Sequence, residues 1–461
     1  MQFDREFIKT ALPDAIIEGL VPVDVSFSVD TRTLQPGSIF VALSGAVCDG
    51  HNFVAQAFEK GAAGCIIVRD KKNILNNIDK KIREQKCIIM VADTKKALVD
   101  CARAWRRLFT YPVFGVTGSV GKTSTKELLG TIVRHYGMNV LVSHENQNTL
   151  IGIPLNILRM RAHHEAAIFE LGISQRGEMV ELAGIVRPTV AIITNVGHQH
   201  MDGLGSLHDI ASEKRAIFKY FTENNIGIIN GDHALLSDVA YAHPVIRFGS
   251  KTINQIQARK IHVHEAGINF VLKIYGKKYS VSVPQVHGGF IYNILAAVAG
   301  ARLLNIPDAS IIAAIQVPVV VAGRFEARQI CKGTLKGCII NDCYNASPES
   351  MKAALLAFEN MQTSATKVAV IGDMLGLGVN SPFWHRQIGR FLRKVPSLKR
   401  VILVGNYVTW TKKTAPVCLP ITLVQNWQEA IGQLENEKDQ VAVLVKGSLA
   451  VGLGNLVGNF T

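Results

Sequence analysis

Lys122 offers the clearest starting point for chemistry in this chain. It stands in Phe114-Gly115-Val116-Thr117-Gly118-Ser119-Val120-Gly121-Lys122-Thr123-Ser124. Gly118 and Gly121 have no Cβ, so the backbone N–H groups of Gly118 to Ser124 can close on a phosphate. Lys122 adds a mobile positive charge for β- and γ-phosphates, and the Thr123 hydroxyl can ligate Mg²⁺. Val116 stands where a full Walker A motif has its first glycine, so this is the shorter G-x-x-G-K-[ST] form. The competing reading is a glycine-rich turn without a ligand. What favours the phosphate loop is its setting: apolar residues from Val113 lead in like a strand, and Thr125 to Val133 lead out like a helix. Such a helix points its positive N-terminal end at the loop.

Other residues could do chemistry if the fold presents them. Glu170 follows the apolar run Ala166-Ala167-Ile168-Phe169; a carboxylate there can hold Mg²⁺ or cap the next helix. His198 and His200, at i and i+2, can ligate a metal or serve as hydrogen-bonding groups in a loop. Lys214 lies in the helical stretch Ala211 to Phe218, where the default reading is a solvated or salt-bridged face. Arg324 follows Ala322-Gly323, and Asp342 ends the apolar run Ile339-Ile340. Both could clamp a nucleotide; Asp342 could equally cap the helix after Pro348 or hold the Asn345 turn.

The elements that must position these residues repeat one pattern. Short apolar runs alternate with helical stretches, as in a parallel sheet covered on both faces. The fold class expected is α/β in three domains. Residues 1–108 form a small N-terminal α/β domain. Residues 109–321 form a central P-loop domain with a mostly parallel, doubly wound sheet, and 322–461 a C-terminal Rossmann-like domain. Ligands of such sheets sit beyond the strand C-termini, which draws attention to Glu170, Thr194-Asn195 and Asn230. The stretch Tyr279–Ala301 reads as the approach to a buried helix. No G-x-G-x-x-G appears in the last domain, so a dinucleotide is not indicated.

With 48% hydrophobic and 19% charged residues over 461 positions, the chain has enough apolar side chains for several cores. The net charge of +14 suits an anionic partner, yet no basic stripe carries interleaved aromatics, so nucleic acid is not expected. The eight cysteines form no C-x-x-C, which fits a reducing cytoplasmic setting. The start Met1-Gln2-Phe3-Asp4-Arg5-Glu6 has no basic stretch followed by an apolar run, so no signal peptide is expected, and no stable membrane insertion is expected.

The order of motifs resembles that of the Mur ligases, the ATP-dependent amide ligases of peptidoglycan precursor synthesis. The similarity runs through Thr117-Gly118-Ser119-x-Gly121-Lys122-Thr123, Glu170-Leu171-Gly172, His200 and Lys214-x-x-Ile217-Phe218. It continues through Asn293-x-x-Ala296-Ala297, Gly323-Arg324 and Asp342-x-Tyr344-Asn345-Ala346-x-Pro348. The N-terminal Asp30-Thr31-Arg32 and Asp49-Gly50-His51 resemble members that add the third amino acid or the terminal dipeptide. Asn148-Thr149-x-x-Gly152-Ile153-Pro154 and Gly372-Asp373-Met374-Leu375-x-Leu377-Gly378 are similar to the members that add the dipeptide, and no Asp-Asn-Pro-Arg is present. The pattern departs at Gly376, where Glu is usual, at Leu449, where Arg is usual, and at Gly289-Phe290, where His-Asn is usual.

The resemblance implies ATP and Mg²⁺ as cofactors, and UDP-N-acetylmuramoyl-tripeptide and D-alanyl-D-alanine as substrates. A peptide carboxylate would attack the γ-phosphate, and an amine would then displace phosphate from the acyl phosphate. It assigns Gly118 to Ser124, Asn293, Arg324 and Asp342 to ATP. It assigns Ser28, Thr31, Arg32, Asn148 and Thr149 to the UDP-linked substrate. Lys122, Glu170, His200 and Lys214 would be catalytic; Thr123, Glu170, His200 and Lys214 would hold Mg²⁺, Lys214 as a carbamate. A cytoplasmic monomer that closes its domains around the substrates is expected. The alternatives are another Mur-like ligase, adding a diamino acid or resembling folylpolyglutamate synthase, and a P-loop regulatory ATPase that binds protein or nucleic acid.

Overall fold

Apolar runs of four or five residues become buried strands. Cys87–Val91 is buried at every position, as are Ala166–Glu170 and Val190–Ile193. The computed structural model describes residues 2–23, 25–45, 48–144, 147–264, 267–284, 288–331, 335–437 and 440–461. The fold is α/β with three sheets, of five, nine and six strands. The chain divides into two compact units. One comprises Met1–Gly115, Met138–Gly172 and Glu178–Thr189; the other comprises Val116–Gly137, Ile173–Gly177 and Val190–Thr461. All eight cysteines are free, as their spacing suggests.

The first unit contains the five-stranded sheet, ordered Ile16–Glu18, Cys87–Val91, Gly64–Val68, Ile39–Val41, Phe27–Ser28, parallel except for the first strand. The helix Thr94–Arg106 begins at Asp93, whose carboxylate accepts from Lys96 N at 2.9 Å. Its last residue, Arg106, is buried without a carboxylate partner among the described residues. Its guanidinium donates instead to the carbonyls of Val186 (2.7 Å), Phe109 (2.8 Å) and Arg187 (2.9 Å). The unit also holds the parallel pair Val140–Val142 and Ala166–Glu170, which sets Glu170 at a strand C-terminus.

In the second unit Val190–Ile193, Ile226–Asn230, Val245–Gly249 and Ile256–His264 run parallel. The chain then turns back twice: Ile256–His264, Gly267–Ile274 and Lys277–Val283 form an antiparallel meander. The stretch from Tyr279 is therefore a strand end followed by the helix Phe290–Leu303, and not one helical approach. Ser280 and Ser282 alternate with the buried Val281 and Val283, the period of two that marks a strand.

The six-stranded sheet runs Glu326–Gln329, Lys336–Asp342, Gln440–Lys446, Thr366–Gly372, Leu398–Val404, Ile421–Val424. Successive residues serve opposite faces. Ala369 and Ile371 join Met351, Leu355, Phe358 and Ile388 in one core; Val368 and Val370 join Leu434, Leu456, Val457 and Phe460 in the other. Both faces are covered by helices, so this sheet is doubly wound. Ser347 caps the helix Pro348–Asn360 with a capping box to Ser350. The Asp342 cap is thereby excluded.

Candidate active site

The strand Val113–Thr117 ends in Gly118, at φ +151°, and the helix Lys122–His135 starts from Gly121, at φ +84°. Both glycines are required twice over. A Cβ on Gly118 would overlap the Thr194 hydroxyl, and one on Gly121 would overlap the Asn293 amide oxygen. The loop is held open from behind. Asn195 Oδ1 accepts from Val120 N at 2.8 Å, and Thr194 Oγ1 donates to Val120 O at 2.6 Å. Ser119 Oγ donates to Gly197 O at 2.9 Å and accepts from Gly197 N at 2.8 Å. Lys122 Nζ reaches back to Gly118 O at 2.9 Å, which lays its charge along the loop. The Thr123 hydroxyl is buried with no hydrogen-bond partner among the described residues. An orphaned buried oxygen is costly unless a ligand or cation completes it.

A cavity of about 290 Å³ opens beside the loop. It gathers Val120, Gly121 and Ser124 with Asn293, Arg324 and Asp342, residues far apart in the chain. Asn293 Oδ1 lies 3.4 Å from Thr125 Oγ1, so the helix Phe290–Leu303 is pinned to the loop helix at this point. The Arg324 guanidinium sits 4.0 Å above the Tyr344 ring centroid. Asp342 Oδ1 accepts from Phe325 N at 3.3 Å, while Oδ2 pairs with Lys446 Nζ at 2.7 Å. Lys446 is 1% exposed and also donates to Asn345 O at 2.9 Å. It thus holds the Asn345 turn, a task that the sequence left open for Asp342. Asp342→Ala strands a buried ammonium, so it should destabilise the protein by about 3 kcal/mol. A urea titration checks this; a midpoint unchanged from wild type contradicts the pairing.

Glu170, in the other unit, is 1% exposed. Its Oε1 accepts from Asn148 Nδ2 at 2.8 Å, and its Oε2 is buried without a partner among the described residues. Neither oxygen caps a helix among the described residues. Thr149 Oγ1 accepts from Gly152 N at 3.3 Å and begins the short helix Gly152–Ile157. In the same unit Ser28 Oγ donates to Asp30 O at 2.9 Å. Thr31 Oγ1 is taken up by Gln56 Oε1 at 2.7 Å. Arg32, its side chain 86% exposed, pairs with Asp30 at 2.6 Å and pulls that carboxyl down to about 2.

His198 is a hydrogen-bonding group: its Nδ1 lies 2.6 Å from Glu349 Oε1, and its ring packs 4.2 Å from Trp384. His200 adopts a left-handed backbone at φ +51°. Its neighbour Met201 donates from N to Gly376 O at 2.8 Å, so the histidine loop rests on the Gly376 turn, itself at φ +74°. Lys214 is 4% exposed and not a solvated face residue. Burial first, then the charge of Lys122, holds its amine far below the usual lysine range. Lys122, Thr123, His200 and Lys214 lie outside the lining of the cavity. Asp373 uses its carboxylate on Asn406 N (2.9 Å) and Val408 N (2.8 Å), a structural task for part of the Gly372–Gly378 motif. Leu449, where the resemblance calls for Arg, is 61% exposed.

Glu349, Lys446, Tyr292 and Asn230 also line the cavity. The position of Asn230 after an apolar strand had flagged it. Lys446 and Glu349 gave no comparable local signal. Among the described residues no group of three or more His, Cys, Asp and Glu could hold a metal. No helix among the described residues is long and apolar enough to cross a membrane.

Residues 26–106, 116–301 and 323–449 match the sequence families described as Mur ligase family, catalytic domain; Mur ligase middle domain; and Mur ligase, glutamate ligase domain. The chain is 31% identical over 456 residues to the UDP-N-acetylmuramoyl-tripeptide--D-alanyl-D-alanine ligase of Bacillus subtilis (strain 168), covering 98% of this chain and 96% of that one. It superposes on a crystal structure of MurF from Acinetobacter baumannii with a TM-score of 0.86, at 27% identity, over 100% of this chain and 99% of that one. MurF from Thermotoga maritima in complex with ADP gives a TM-score of 0.79, at 27% identity, over 94% and 96%. The chain belongs to the Mur ligase family and is an ATP-dependent ligase.

Proposed function

We propose that this chain joins D-alanyl-D-alanine to UDP-N-acetylmuramoyl-tripeptide, giving UDP-N-acetylmuramoyl-pentapeptide, ADP and phosphate in peptidoglycan precursor synthesis. The observation that carries the reading is one cavity shared by the glycine loop, Asn293, Arg324 and Asp342, in a chain similar from end to end to ligases of that name. The division into 1–108, 109–321 and 322–461 is retained, supported by the three family segments. The protein acts in the cytoplasm as a monomer, without nucleic acid.

Activation of the substrate carboxylate sets an anion against the γ-phosphate, so charge neutralisation and alignment are the main catalytic tasks. The N–H groups of Gly118 to Ser124 cradle the phosphates, and Lys122 neutralises the transferring group. Asn293 faces the adenine; Arg324 and Asp342 reach phosphate and ribose. Thr123 would offer its orphaned buried oxygen to Mg²⁺, and Glu170 would do the same with its own. His200 and a carbamylated Lys214 would hold a further Mg²⁺. When bound, these ions supply Lewis-acid polarisation of phosphate oxygens. Ser28, Arg32, Asn148 and Thr149 bind the UDP-linked substrate, and Thr31, whose hydroxyl is occupied by Gln56, contributes through its backbone.

ADP release tests the coupling. With ATP and Mg²⁺ alone it should stay at background, and UDP-N-acetylmuramoyl-tripeptide with D-alanyl-D-alanine should raise it. Full ATP turnover in the absence of both substrates contradicts this reading.

A further inference from the structure

Two carboxylates line the cavity beside the phosphate loop, Asp342 and Glu349. Asp342 is matched by the buried ammonium of Lys446. Glu349 is held at one oxygen alone. Its Oε1 accepts from His198 N at 3.2 Å and lies 2.6 Å from His198 Nδ1. An ionised carboxylate can only accept, so Nδ1 carries the proton of that bond. The His198 ring is braced in turn, 4.2 Å from Trp384. Glu349 Oε2 is buried without a hydrogen-bond partner among the described residues. Lys352, one turn further along the helix Pro348–Asn360, is spaced to pair with it. The Lys352 ammonium lies instead over the Trp384 ring, 5.8 Å from its centroid.

This carboxylate stands close to the phosphate loop. A Cβ on Gly197 would come within 3.1 Å of Glu349 Cδ and 3.2 Å of Oε2, so the carboxyl rests on the Gly197 backbone. The N–H and C=O of Gly197 are the groups that clasp Ser119 Oγ. A negative charge is thus fixed against the residue that holds a loop built for phosphates. Phosphate repels an anion there unless a cation comes between them. The orphaned oxygen calls for the same kind of partner. The side chain is 39% exposed although Oε2 is covered. A small turn about Cγ–Cδ, a soft torsion in glutamate, brings Oε2 to the cavity.

On the proposed function the reacting groups sort by charge. ATP and the carboxylate to be activated are anions. The attacking group is the amino terminus of D-alanyl-D-alanine, an ammonium below a pKa of about 8. We propose, resting on that function, that Glu349 receives this ammonium in the cavity, with His198 fixing the carboxylate from the other side. Glu349 is then a specificity residue for the acceptor. It selects an amine that arrives as a cation and holds it at the phosphate end of the site.

Two nucleophiles compared in the full chain, with ATP, Mg²⁺ and UDP-N-acetylmuramoyl-tripeptide, test this. D-alanyl-D-alanine, kept below its KM, gives the amide. Hydroxylamine, largely uncharged at neutral pH, attacks the same activated carbonyl. Its nitrogen bonds to the carbonyl carbon, the bond from that carbon to the phosphate oxygen breaks, phosphate leaves, and the nitrogen sheds a proton to give the hydroxamate. Glu349→Gln keeps the shape and an acceptor for His198 but removes the charge. The ratio of amide to hydroxamate does not depend on the amount of folded enzyme. It should fall at least about tenfold in Glu349→Gln. Glu349→Asp keeps the charge, and its ratio should lie between those of Glu349→Gln and wild type. A Glu349→Gln ratio within about twofold of wild type overturns the assignment. That is the result expected if the partner of Oε2 is Mg²⁺ or ATP, since both products then fall together. Wild-type ligation of another amine, with none of D-alanyl-D-alanine, overturns the proposed function instead; the same ratio read with that amine then decides the role of Glu349.

Discussion

Replacing Lys122 by alanine should lower kcat by ~10²–10³, the usual cost of one preorganised electrostatic contact to a transferring group. The loop itself should survive. Its glycines are set against Thr194 and Asn293, and Val120 is held from both sides by Thr194 and Asn195, none of which depends on the ammonium. Within the loop the variant loses the bond from Nζ to Gly118 O. The cost should therefore fall on turnover more than on KM for ATP, because the charge matters most where phosphate charge is redistributed. Steady-state ADP release, with the thermal midpoint as a control, checks this. A fall of less than about threefold would show that the phosphoryl group does not pass this lysine.

Lys214→Ala should nearly abolish ligation while leaving the chain folded. Burial and the neighbouring Lys122 charge favour the neutral amine. A neutral amine can attack CO₂: the N–C bond forms, one proton leaves, and the side chain ends in two oxygens that share one negative charge, suited to hard Mg²⁺. Short carboxylates added to the alanine variant should restore part of the activity, and bicarbonate should stimulate wild type alone. Stability supplies an independent sign. An unmodified Lys214 binds its proton less tightly folded than unfolded, so it burdens the fold fully below its folded pKa. The burden shrinks as pH rises towards the usual lysine value of 10.5 and is gone above it. Lys214→Met removes it, so the variant should be the more stable protein at low pH, with the gap closing as pH is raised. Wild-type activity in Lys214→Ala in bicarbonate-free buffer would return Lys214 to a structural role.

The glycine loop was legible because strand, loop and helix are contiguous, and every requirement is written within a dozen residues. Lys214 was half legible. Its charge suggested a solvated face, yet Ile210, Lys214 and Ile217 follow at helical spacing and all are buried, so the pattern did place it on the inward stripe. The pairing of Asp342 with Lys446 had no local signal, since 104 residues separate them and only adjacent parallel strands join them. The occupation of Thr31 by Gln56 was likewise invisible, because a hydroxyl's partner is fixed by how the helix Val54–Glu59 packs against the turn that holds Thr31. The antiparallel meander of Ile256–Val283 was missed for a different reason. Its outward residues are polar, so it lacks the continuous apolar runs by which the parallel strands announced themselves.

The acceptor decides the central claim, and the mass of the product reads it directly. The protein should be incubated with ATP, Mg²⁺ and UDP-N-acetylmuramoyl-tripeptide, then with UDP-N-acetylmuramoyl-dipeptide, each with D-alanyl-D-alanine or diaminopimelate. The account predicts a single new species, the tripeptide nucleotide plus D-alanyl-D-alanine less one water, formed with one ADP per amide. Efficient addition of diaminopimelate to the dipeptide nucleotide, with no product from D-alanyl-D-alanine, would contradict it.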